Sequence, residues 1–128
     1  MKLLAVLLCM TSAPLAAQTA SGNEIAAACD HLDEADIRGG YCIGYIIGAW
    51  EGIKIGAFEA LVVSGAKGTA EELDGMVNSI LGICAPVSVE RGQIVDIVIG
   101  YFEQNPAIRH LPARSLIREA MVESFPCK

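Results

Sequence analysis

Residues 41–63 read YCIGYIIGAWEGIKIGAFEALVV, and the reading of this stretch decides the fold. Ile43, Ile46, Ile47, Trp50, Ile53, Ala57 and Leu61 recur at steps that bring side chains to one face of an α-helix. The spacing predicts one long helix with these residues on its inner face. Its charges are Glu51, Lys54 and Glu59, and Glu51 and Lys54 stand one turn apart, the spacing of a helical ion pair. The charges leave no apolar run of about 18 residues, so no transmembrane segment is expected. A second pattern runs through the same stretch. Gly44, Gly48, Gly52 and Gly56 fall every four residues, continued by Ala60 and Ser64. Each interior glycine costs a helix about 1 kcal/mol against alanine, so something should pack against the bare backbone. The favoured expectation is a close helix crossing within the domain. The sharper one is a homodimer seam along the same stripe.

On the N-terminal side, SGNE at 21–24 makes a capping box between Ser21 and Glu24 and starts a short first helix ending near Cys29. HLDEADIRGG, at 31–40, is polar, ends in two glycines and reads as a loop. On the C-terminal side, SGAKG at 64–68 is a second loop. Thr69 and Glu72 then make another capping box, with Leu73, Met76, Val77, Ile80 and Leu81 at helical spacing up to Gly82. Ser88 is the expected N-cap of a fourth helix, with Glu90 in its first turn. IVDIVI at 94–99 is β-branched enough to suggest a strand. The pattern runs on to Asn105, too long for most strands, and Asn105-Pro106 ends it. Pro112 is placed to open a fifth helix whose inner face is Ala113, Leu116, Ile117, Ala120 and Met121, stopped at Phe125. The expected architecture is all-α: a small single-domain helical bundle of about five helices.

The 128 residues carry a formal charge of -6, and 53% are hydrophobic. That suits one domain, is too apolar for disorder, and argues against a nucleic-acid surface, which needs clustered Lys and Arg. A basic partner is electrostatically easier. Residues 1–17, MKLLAVLLCMTSAPLAA, read as a secretory signal peptide: a positive Lys2, a short apolar core, then small residues before a cleavage site after Ala17. Its removal takes Lys2 away, leaving residues 18–128 as the domain with a charge one unit more negative. It also removes Cys9, so four of the five cysteines remain: Cys29, Cys42, Cys84 and Cys127. An even number in an exported small domain reads as two disulfides, of three possible connectivities. The local pairing, 29–42 with 84–127, closes the shorter loops and is favoured. Each bridge would contribute roughly 3–4 kcal/mol in the chain-entropy model.

Motifs for catalysis are missing from the sequence. There is no GxSxG, no HExxH, no phosphate-binding glycine loop and no CxxC, so neither a cofactor nor a metal is expected. Cys84 and His110 could form a nucleophile pair only if Cys84 were a free thiol. His31 reads as solvated, and His110 as a capping or packing residue. Glu71, Glu72 and Asp74 cluster at the start of the third helix. They either complement the helix dipole or form a contact for a basic partner.

YCIGYIIGAW, at 41–50, resembles the Cys-x-Gly-Tyr-Ile-x-Gly signature of the Rap/Tai family, immunity proteins of bacterial type VI secretion systems. The C-terminal part resembles the family's Cys-x-Pro, Gly-Gln, Asn-Pro, Arg-His-x-Pro-Ala and terminal Phe-Pro-Cys pattern in the same order. The match reaches Cys42, Gly44, Tyr45, Gly48, Cys84, Pro86, Gln93, Pro106, Arg109, His110, Pro112 and Cys127, all as fold positions. Residues 64–82 carry no family pattern. The resemblance implies a helical, periplasmic and usually dimeric protein that binds and inhibits a peptidoglycan amidase toxin and is not itself an enzyme. The alternative is an exported helical binding or chaperone-like module with no toxin partner.

Overall fold

The computed structural model describes residues 19–34 and 36–127; the expected signal peptide, 1–17, lies outside them. Among the described residues there are five α-helices and no strand: α1 (Gly22–Cys29), α2 (Ile37–Val63), α3 (Ala70–Leu81), α4 (Arg91–Gln104) and α5 (Ala113–Ser124). A 3-10 turn, Pro106–Ile108, joins α4 to α5 and has no counterpart in the sequence reading. The fold class is therefore the expected one, and IVDIVI lies inside α4.

Both expected capping boxes form. The Ser21 N–H donates to Glu24 Oε2 at 2.7 Å, and the Glu24 N–H returns to Ser21 Oγ at 3.3 Å. The pair Thr69 and Glu72 repeats this at the start of α3. Gly82 ends α3 at φ 70°, a left-handed conformation that glycine adopts without steric penalty. The inner face of α5 is buried as expected: Ala113, Leu116, Ile117, Ala120 and Met121.

Several boundaries differ. The expected 31–40 loop ends early, because Asp36 caps α2 by accepting from the Arg38 N–H, and Ile37 to Gly40 are helical. Gly39 sits where a Cβ would meet the His31 carbonyl oxygen at 2.8 Å, so the glycine lets the start of α2 pass close beneath the turn. Glu90, not Ser88, is the N-cap residue of α4, without a side-chain bond. Pro112 is the N-cap of α5 and not its first residue. Glu51 and Lys54 do not pair with each other. Glu51 takes Arg91 of α4 at 2.7 Å, and Lys54 takes Asp74 of α3 at 2.8 Å. Partners on neighbouring helices displace the local one.

The core gathers Ile25 of α1, Cys42, Ile46 and Trp50 of α2, Val77 and Leu81 of α3, Ile94, Val98 and Phe102 of α4, and the α5 face. Ile43 falls outside it, on the exposed side of α2. Two bridges staple the bundle with the favoured connectivity, Cys29–Cys42 between α1 and α2, and Cys84–Cys127 between the end of α3 and the segment after α5.

Candidate partner-binding surface

The glycine stripe of α2 does not make the favoured intradomain crossing. Among the described residues, a Cβ placed on Gly44, Gly48, Gly52 or Gly56 would meet nothing within 4 Å. The stripe lies on the outer face of the helix, beside the exposed apolar residues Ile55 and Val62. The reason is geometric. Cys42, Ile46 and Trp50 turn to the core, and residues two positions away from these face outward. The helix is thus apolar on both sides, a composition normally found in helices covered all round. Next to the stripe runs a groove of about 680 Å³ between α2 and α4. Ile43, Ile47 and Val95 give it apolar walls, Gly44, Gly48 and Gly92 leave it open, and Glu51 and Arg91 pair at its edge.

Several of the family-motif positions sit in caps and turns, whereas Gly44 and Gly48 lie on the open stripe. Arg109 donates from Nε to the Phe102 carbonyl at 2.6 Å and from Nη2 to that of Glu103 at 3.5 Å, so it closes the C-terminal end of α4. Its own carbonyl accepts from the Asn23 N–H at 2.8 Å and anchors α1. Pro106 opens the 3-10 turn. Pro112 pairs with Ser21 in an isolated bridge. His110 is exposed, with Nδ1 3.1 Å from the Ala107 carbonyl oxygen. Pro86 starts a tight turn in which its carbonyl accepts from Val89 N–H. Gln93 is exposed in the first turn of α4. Tyr45 is half-buried with its ring 6.0 Å from Tyr41, and burial pushes its phenol above the ordinary value.

The acidic cluster divides. The Glu72 carboxylate is engaged by its capping box, and Asp74 is held by Lys54 at 2.8 Å and Asn78 at 3.2 Å. Glu71 is exposed in the first turn of α3. Capping thus engages Glu72 and an interhelical ion pair engages Asp74, while Glu71 lies in the first turn, where the helix dipole favours it.

Sequence reading missed a polar turn between α1 and α2. His31 is half-buried, not simply solvated. Arg38 Nη1 stands 2.8 Å from His31 Nε2. The buried His31 Nδ1 lies 3.2 Å from Glu34 Oε2 but outside hydrogen-bonding alignment. Arg38 also reaches Asp36 and Glu34. Its side-chain and backbone hydrogen bonds hold the Asp36 carboxyl below the usual value. His31, Glu34 and Asp36 approach like metal ligands, within 4.8 Å of one another, but the cation among them is the arginine. No signal in the sequence marks this turn, because its residues meet only after α2 begins four residues early.

Cys84 is bridged to Cys127, so it has no thiolate to pair with His110. Among the described residues, no helix is long and apolar enough to cross a membrane. No curated protein and no solved structure matches the chain. The model of the Rap1a immunity proteins matches residues 21–127, which span both bridges and every helix described above. A stapled helical domain of this length, matched from the α1 cap to the second bridge, thus belongs to the Rap1a immunity protein family, and its role is that of an immunity protein.

Proposed function

We propose that the protein is exported to the periplasm by residues 1–17 and there binds and inhibits a peptidoglycan amidase effector of a type VI secretion system. It acts by occupying the toxin and carries out no reaction of its own. The observation that carries this reading is the family match over 21–127. The amidase target rests on the resemblance of YCIGYIIGAW and the C-terminal motifs to the Rap/Tai family. Two bridges suit an oxidising compartment, and the acidic charge suits a basic toxin surface. Glu71, with Glu72 and Asp74 behind it, is one candidate contact.

The protein forms a homodimer in this reading, with α2 lying against its copy along Gly44, Gly48, Gly52 and Gly56. Among the described residues nothing covers the four glycines, which supports a close-approaching second helix.

Co-expression with a candidate peptidoglycan amidase effector tests the proposal. Co-purification and protection of cells from lysis are expected. An amidase that lyses cells equally with and without the protein would sink it, and broad binding to unfolded clients would favour a chaperone-like module. Sedimentation of the purified protein tests the dimer separately.

A further inference from the structure

The two bridges stand in different surroundings. Cys29 and Cys42 are core residues, 8% and 0% exposed, pressed between α1 and α2. Cys84 is exposed, and Cys127 is half-buried. Thiol–disulfide exchange begins with a thiolate reaching a sulfur of the bridge, so access governs its rate. We propose that Cys84–Cys127 is a redox site, opened by a dithiol reductant while Cys29–Cys42 stays closed, and that its opening loosens α3 at its C-terminal end, where the chain meets α5.

The exchange balances without any further reagent. One thiolate of the dithiol attacks Cys84 Sγ and forms a mixed disulfide, and Cys127 leaves as a thiolate that takes up a proton. The second thiol of the reductant attacks its own sulfur in the mixed disulfide and releases Cys84. Two electrons have then passed to the bridge, and the reductant departs as its disulfide.

The consequence follows from how α3 is held. It packs chiefly on α2, with Val77 and Leu81 in the core. Its polar ties to the segment around α5 gather at its C-terminal end, around the bridge. Ile83 pairs with Pro126, the Cys84 N–H donates to the Phe125 carbonyl at 2.8 Å, and Arg118 donates to the Leu81 carbonyl at 3.0 Å. The bridge closes a separation of 43 residues that contains all of α4 and α5. Opening it leaves α3 on α2, with Val77 and Leu81 in the core and Asp74 on Lys54, while its C-terminal end keeps only these few contacts and the buried Ile83. The other bridge continues to clasp α1 to α2, so the core around Ile25 and Ile46 keeps its staple.

The experiment needs no toxin, so its result is independent of the amidase reading. The oxidised protein is treated with dithiothreitol under native conditions, quenched with a maleimide at intervals, and mapped by mass spectrometry. Cys84 and Cys127 should be labelled about tenfold faster or more than Cys29 and Cys42. Hydrogen exchange should rise over the C-terminal end of α3 and stay unchanged over 42–50. A variant with Cys84→Ser and Cys127→Ser should show the same rise without reductant. Equal rates at the two bridges, or earlier opening of Cys29–Cys42, would overturn the redox site. Selective labelling with no added exchange in α3 would overturn the loosening. In guanidinium, where burial is gone, the two rates should converge; a gap that persists there would refute burial as the cause.

Discussion

Up to Trp50, helix α2 runs through the core, with Cys42, Ile46 and Trp50 buried and one bridge fastened to its first turns. Beyond Trp50 no residue of α2 is buried, and α3 lies along it, joined through Lys54 and Asp74. Both halves are equally apolar and carry the same glycine spacing. Periodicity therefore reports which face of a helix turns inward, but not how many layers cover it. That number depends on where α4 and α5 lie, and their placement is written elsewhere in the chain.

The sharpest way to break this contrast is to truncate each half in turn. Ile46→Ala, at a fully buried site, should cost about 2–5 kcal/mol in urea denaturation. Ile55→Ala, at a site 55% exposed, should change stability by no more than about 0.5 kcal/mol. Equal losses would mean that the second half is as well covered as the first. Next in size are the glycines. With empty space above them, Gly48→Ala and Gly52→Ala should each stabilise the monomer by up to about 1 kcal/mol, read as a higher Tm in dilute solution. Gly48→Leu should split the dimer without unfolding the chain. A destabilised monomer would show that something in the same chain packs there.

Smaller still is Lys54→Ala, which removes a partly exposed ion pair between the second half and α3 and should cost at most about 1 kcal/mol. The smallest effect concerns acid. Ser21 and Arg38 hydrogen bonds hold the Glu24 and Asp36 carboxyls below their ordinary values. The stability they add is present above the ordinary carboxylate range and is lost as pH falls through the depressed values. Acid should thus loosen the starts of α1 and α2 as these carboxylates take up protons, and amide exchange along a pH series would follow it.

Much of the fold was legible because the signals were local. Ser21 with Glu24 and Thr69 with Glu72 each mark a helix start within four residues, and the α5 inner face is pure periodicity. The cysteines gave their pairing through loop length. What could not be read was long-range competition. Glu51 and Lys54 look like partners until Arg91 and Asp74 arrive from other helices. The early start of α2 depends on Asp36 as a cap and on Gly39 slipping under His31, and the polar run around them reads equally well as a loop. The partner surface was legible only as a question: the glycine stripe signals close approach, and the structure shows that nothing in the described chain makes it.

The seating of α1 has a consequence for how the molecule is made. Its first amides, from Gly22 and Asn23, bond to the carbonyls of Leu111 and Arg109, and the Ala113 N–H returns to Ala20. A chain emerging N-terminus first presents α1 long before these acceptors exist. Its bridge to Cys42, only 13 residues on, can close much sooner. The short bridge thus gives α1 an anchor on α2 that does not depend on the corner between α4 and α5, whose carbonyls complete its N-terminal hydrogen bonds.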